Sequence, residues 1–190
     1  MHPAVAIIVL WAAWAISWAL ASFWSDPAEK RVSLGAEVRY RVLMIAGAVI
    51  FFHSGAWLLR AIAALACVNW TQAWIATALT AFGFVFAWWA RIHLGRLWSG
   101  NITKKADHRV VESGPYGWVR HPIYTGLLIS TFATLWAKGT VYGIAGAALI
   151  TLSIWLKARL EERFLREELG AAAYDDYSRR VPMLVPFLKF

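Results

Sequence analysis

Charged side chains are scarce in this chain, at 16% of 190 residues, where a soluble domain carries about a quarter. That is too little charge to solvate a whole surface, which argues against a free-standing water-soluble domain. Acidic residues are the scarcest, 11 against 19 lysines and arginines, giving a net charge of +8. The basic residues lie between long apolar runs, an arrangement suited to anionic lipid headgroups rather than to nucleic acid. The single cysteine, Cys67, excludes an intramolecular disulfide framework and reads as a small apolar filler. No internal repeat, low-complexity tract or second domain is evident, and no metal site is expected.

What is abundant is apolar surface: 60% hydrophobic residues, including 13 tryptophans. The 23 residues from Pro3 to Ser25 contain no Asp, Glu, Lys or Arg. As a helix they reach about 35 Å, enough to cross a hydrocarbon core of roughly 30 Å. The stretch is long for a signal peptide and lacks a basic leading region, so a retained span is expected. A second helix is expected over about 42–67, with Arg60 snorkelling near its outer end. The polar patch Asn69-Trp70-Thr71-Gln72 marks a turn, and a third helix follows over about 71–90. The apolar stretch from Pro122 to Leu156, interrupted at Lys138-Gly139, predicts a short helical hairpin with limbs near the minimum spanning length. The fold class is therefore all-α: a polytopic membrane protein with about five transmembrane helices. A C-terminal amphipathic helix and a Pro-bounded tail should lie on the membrane surface.

The distribution of positive charge tests this layout. With five helices, 17 of the 19 lysines and arginines fall on one side, in segments 26–41, 91–121 and 157–190. Only Arg60 and Lys138 lie toward the other face. The positive-inside rule then predicts a cytoplasmic C-terminus and an external N-terminus. That face would be the cytoplasmic side of a bacterial inner membrane or of the endoplasmic reticulum.

Polar chemistry concentrates between His108 and Gly126, in HRVVESGPYGWVRHPIYTG. Gly114-Pro115 marks a turn, and Pro122 suits the first turn of the following helix. Arg120, His121 and Tyr124 would gather at that helix's N-terminal end, where free N–H groups and the helix dipole favour an anionic ligand. Interfacial anchoring accounts equally well for these residues by type alone. A second cluster, Lys157 to Arg163, contains the adjacent carboxylates Glu161 and Glu162, with Lys157 one helical turn before Glu161. A solvated, salt-bridged helix face accounts for it equally well.

Taken together, these motifs resemble the isoprenylcysteine carboxyl methyltransferase family, which includes phospholipid methyltransferases. The resemblance rests on the run from His108 to Gly126, on Glu161-Glu162, on Tyr174 and Tyr177, and on VPMLVPF at 181–187. It covers roughly residues 90–190, so 1–90 is expected to supply three spans and 91–190 the cofactor-binding region of one membrane domain. The resemblance implies S-adenosylmethionine as cofactor, held by His108, Val110, Val111, Tyr116, His121, Pro122, Tyr124, Glu161 and Glu162. It also implies that Lys157, where the family usually has arginine, faces the methyl acceptor. Arg159 stands as its alternative, and Arg120 and Glu161 complete the expected catalytic set. The implied acceptor is lipophilic or lipidated, with an isoprenylcysteine-like carboxylate ahead of a phospholipid amine; membrane lipids are the expected surroundings. A nicotinamide-dependent membrane reductase would be expected to carry Asn and an acidic residue where Ile123 and Leu127 stand. A non-catalytic scaffold would have no need of the intact Arg120-His121-Pro122 and Glu161-Glu162 groups.

Overall fold

The computed structural model describes residues 1–27, 29–52, 69–104 and 110–188. The expected continuation of the second helix to 67, with Arg60 and Cys67, lies outside the described residues, as does His108. Helix α1 is Pro3–Ala21 and α2 is Leu34–Phe52. Helix α3 is Trp70–Leu94, α4 Pro122–Lys138, α5 Val141–Leu169 and α6 Ala171–Arg180. Single turns of 3-10 helix occur at Gly95–Leu97 and Gly114–Gly117. Two short strands, β1 (Lys30–Arg31) and β2 (Thr103–Lys104), pair antiparallel with Arg31 opposite Thr103.

Local sequence sets the ends of these helices. The Asn69 side chain accepts the Thr71 N–H at 2.9 Å, and α3 starts there, at the polar patch read as a turn. Pro122 occupies the first turn of α4, where its missing N–H leaves no bond unmade. Gly139, at φ 58°, closes α4 in the left-handed region, and Thr140 caps α5 by accepting the Gly143 N–H at 3.1 Å. The second limb of the hairpin is thus 29 residues long, not the short limb expected. Its apolar part is extended by Lys157–Leu169, so at 1.5 Å per residue Glu161 stands about 30 Å along the axis, near the boundary of a bilayer.

Successive helices run in opposite directions. His2 packs edge-on against Trp70 at one end of the bundle, where Lys138 Nζ also donates to the Phe51 carbonyl. At the other end Arg91, fully buried, donates to the carbonyls of Ala21 (2.9 Å), Trp24 (2.7 Å) and Gly95 (2.6 Å). Those carbonyls lie at or just beyond the C-terminal ends of α1 and α3, where the i+4 backbone donors of an α-helix run out. Helices α3 and α4 approach closely where Gly83 faces Gly126; a Cβ on Gly126 would lie 2.8 Å from the Ala87 nitrogen. Small residues at such a crossing let backbones touch in lipid. Ser130 Oγ donates to the Thr80 carbonyl at 2.9 Å, and Trp11 Nε1 to Thr134 Oγ1 at 3.0 Å. On the other side Phe51, Ala147, Ile150 and Ile154 form the core between α2 and α5.

Helices α1, α3 and α5 are long and apolar enough to cross a membrane. Their outward faces carry exposed residues such as Ile16, Phe82, Val85 and Leu152, the mark of a lipid-facing belt. The three basic segments meet at one end, as the five-helix layout predicts. Arg96 pairs with Asp26 at 2.6 Å, Lys30 with Glu168, and the β1–β2 ladder joins the first two segments.

Candidate functional site

At the basic end, α3, α4, α5, α6 and the segments 98–103 and 110–121 enclose a cavity of about 340 Å³. Of the residues expected from sequence, Val110, Val111, Tyr116, Arg120, His121, Pro122, Tyr124, Lys157 and Glu161 line it. Both sides of the motif pairing therefore meet in one place. Tyr124, in the first turn of α4, donates its hydroxyl to Glu161 Oε2 at 2.7 Å. Its ring stacks on His121, with centroids 5.3 Å apart. His121 Nε2 lies 3.2 Å from Glu162 Oε1, and Nδ1 lies 3.9 Å from Glu161 Oε2.

Arg120 is engaged differently from a free catalytic cation. Its Nε donates to Glu162 Oε1 at 2.7 Å, and its Nη1 to the carbonyls of Ser178 and Val181, both at 2.8 Å. The backbone N–H groups of Arg120 and His121 go to the carbonyls of Pro182 (2.8 Å) and Met183 (3.1 Å). Thr125 Oγ1 donates to the Leu184 carbonyl at 2.6 Å. The tail thus takes the two N–H groups just ahead of α4, and Arg120 clasps α6 to the cavity. Glu162 does not line the cavity; it serves as counter-ion to Arg120 and as hydrogen-bond partner of His121. Arg159 is exposed, over the Trp155 ring at 5.7 Å, and is not among the residues lining the cavity.

Lys157 reaches inward. Its ammonium donates to the Gly100 carbonyl at 3.0 Å and lies 5.6 and 5.5 Å from the ring centroids of Tyr40 and Tyr124. Sequence reasoning left several wall residues out of the site. Tyr174 and Tyr177 project from the buried face of α6, and Tyr177 donates to the Tyr116 carbonyl at 2.7 Å. Burial pushes the Tyr116, Tyr174 and Tyr177 hydroxyls well above the ordinary tyrosine range; the Glu161 charge adds to this at Tyr116. These three groups therefore stay neutral donors. Trp18, Met44, Trp98, Gly100, Asn101 and Thr103 complete the wall. The one available signal for α2's part was Glu37, an isolated acid in a stretch otherwise basic or apolar.

A family model described as the isoprenylcysteine carboxyl methyltransferase (ICMT) family matches residues 74–168. Methanethiol S-methyltransferase 2 of Bradyrhizobium diazoefficiens is 43% identical over 75 residues, 38% of this chain and 27% of that protein. The protein-S-isoprenylcysteine O-methyltransferase of Saccharomyces cerevisiae is 30% identical over 92 residues, 45% of this chain and 36% of that protein. Among solved structures, a eukaryotic intramembrane Ras methyltransferase ICMT superposes with a TM-score of 0.57 at 25% identity, over 80% of this chain and 53% of that one. The chain spans about half or less of the length of each of these proteins.

Proposed function

Since this chain belongs to the isoprenylcysteine carboxyl methyltransferase family, we propose that it is an integral membrane methyltransferase using S-adenosylmethionine and a lipophilic acceptor. The observation that carries the reading is the meeting of Tyr116, His121, Tyr124 and Glu161 with Lys157 in one cavity at the basic end of the bundle. Its volume of about 340 Å³ falls within the usual range for small-molecule sites.

The donor set suits a sulfonium amino acid joined to a nucleoside. Glu161 offers a carboxylate to the amino group, and tyrosine faces attract a positive sulfonium. Val110 and Val111 offer apolar surface to a base. Bound there, S-adenosylmethionine supplies an electrophilic methyl group. The protein's part is to align the acceptor in line with that group and exclude water. Lys157 steers an anionic acceptor atom into place, and His121 with Glu162 and Arg120 holds the motif segment rigid. His121 is a positioning donor; an acceptor that arrives as an anion needs no general base. The positive-inside rule puts this end on the cytoplasmic side, where a water-soluble cofactor enters from solution and the acceptor from the bilayer.

The acceptor supported best is the carboxylate of an S-prenylated cysteine. Lysine can meet it at one point only, unlike the planar fork of arginine. A second reading, S-methylation of a small thiol, is favoured by the modest cavity and by the likeness to the Bradyrhizobium enzyme. The test is label transfer from radiolabelled S-adenosylmethionine to an S-prenylated cysteine, a short-chain thiol or total membrane lipid, with the protein in nanodiscs. Methyl ester formation that Lys157→Met abolishes is the expected result. Label in the thiol selects the second reading, and label in no acceptor, with no cofactor binding, overturns both.

A further inference from the structure

Residues 34–44 lie outside both the matched family region and the motifs, yet Met44 lines the cavity and Glu37, Tyr40 and Arg41 back the 100–103 segment that forms one of its walls. Glu37, Tyr40, Arg41 and Met44 fall on one face of α2 at helical spacing. Glu37 is 4% exposed. Its Oε1 accepts the Ile102 N–H at 3.1 Å, and Oε2 accepts from the Arg41 guanidinium. Arg41 also donates to Asn101 Oδ1 at 2.8 Å. Ile102 itself is buried against Tyr40 and Phe164, and its carbonyl accepts the Val32 N–H at 3.2 Å. A buried carboxylate so placed fixes the 100–103 segment from behind.

The front of that segment faces the cavity. The Gly100 carbonyl there receives the Lys157 ammonium at 3.0 Å. Thr103 also lines the cavity, is 6% exposed, and its Oγ1 has no hydrogen-bond partner among the described residues. A buried hydroxyl left unpaired is unfavourable, a penalty that an arriving acceptor group can remove. Tyr40 closes the other side of Lys157.

We propose that this wall is the acceptor-recognition subsite. Lys157 Nζ and the Thr103 hydroxyl take the polar, anionic head of the acceptor, and Glu37 is the positioning residue that holds both in register. This rests on the methyltransferase reading above, with the acceptor rather than the cofactor at this wall.

The test uses the full chain in nanodiscs with an S-prenylated cysteine as acceptor probe. Three quantities are read: acceptor KM, S-adenosylmethionine Kd by calorimetry, and the rate of Lys157 reductive methylation by peptide mapping. Thr103→Val should raise acceptor KM about fivefold with cofactor Kd within twofold. Glu37→Ala should raise acceptor KM tenfold or more and at least double Lys157 labelling, again without moving cofactor Kd. Glu37→Gln, which keeps an oxygen for the Ile102 N–H, should recover most of both effects. Should the alanine chain fail to fold, Glu37→Asp, one methylene short of that N–H, takes its place. Parallel loss of cofactor and acceptor affinity, or unchanged KM and labelling in both positions, overturns the proposal. A wild-type chain that binds no S-adenosylmethionine and methylates no probe removes the methyltransferase reading, while the labelling arm still decides whether Glu37 sets Lys157.

Discussion

Tyr124 and Glu161, 37 residues apart in sequence, are joined by a 2.7 Å hydrogen bond from the tyrosine hydroxyl to the carboxylate. That bond ties the first turn of α4 to the point where α5 leaves the apolar layer. It also aims the carboxylate, since an oxygen held by Tyr124 cannot swing toward solvent. Tyr124→Phe keeps the ring on His121 and removes only the donor. Hydrogen bonds to charged groups contribute about 1.5–3 kcal/mol, so S-adenosylmethionine affinity should fall by about tenfold or more. Calorimetry on the solubilised variant checks this, and an unchanged Kd would mean Glu161 is held by other contacts.

Arg120 makes a different prediction, because its donors are spent on the tail. Lysine at this position retains the charge but cannot serve Glu162, Ser178 and Val181 together. Arg120→Lys should loosen residues 178–184 while the transmembrane core stays protected. Amide hydrogen exchange would show faster exchange in α6 and the tail, with exchange in α3 and α4 unchanged. Breaking a buried pair costs about 3–5 kcal/mol when one partner is removed outright, so Arg120→Met should release the tail almost completely.

Much of this arrangement was legible in the sequence. Length and hydropathy placed α1, α3 and the α4–α5 hairpin, and charge asymmetry brought the three basic segments to one end. The second helix was harder to bound. It begins at Leu34 rather than 42, because Glu37 and Arg41, counted as loop residues, satisfy each other and the Ile102 N–H inside the bundle. The β1–β2 ladder has two residues per strand, too few to carry an alternating pattern. The motif residues Tyr116, His121, Tyr124 and Glu161 do converge, as their shared order suggested. Thr103 and Gly100 gave no signal, since their roles arise from tertiary pairing alone. Arg120 and Arg159 look alike as cations in the sequence; only packing separates a buried clasp from an exposed side chain.

The three buried tyrosines of the cavity wall imply a pH dependence. Burial raises the hydroxyls of Tyr116, Tyr174 and Tyr177 above the value of about 10 that an unfolded chain has. The folded state therefore holds protons that the unfolded state releases above that pH. Their contribution is fully present below about pH 10 and is lost progressively as pH rises beyond it. Melting temperature should be insensitive to these groups between pH 7 and 9 and fall above about 10. Tyr177→Phe should flatten that alkaline decline while costing the bond to the Tyr116 carbonyl.

The Gly83–Gly126 crossing sets how closely α3 and α4 approach, and α4 carries His121 and Tyr124 at its site end. A methyl group on Gly126 meets the Gly83 carbonyl and the Ala87 nitrogen, which are backbone atoms and cannot rotate away. Gly126→Ala must therefore shift the helices themselves. Overpacking of this kind costs about 1–3 kcal/mol, or about 2–12 °C in melting temperature for a chain of this size. Because α4 would move as a unit, the Tyr124–Glu161 bond should lengthen too, and cofactor affinity should fall along with stability. Gly35→Ala is the matched control, since a Cβ there meets nothing within 4 Å. A Gly126→Ala chain that melts like the control would show that the two helices are not in backbone contact at this level.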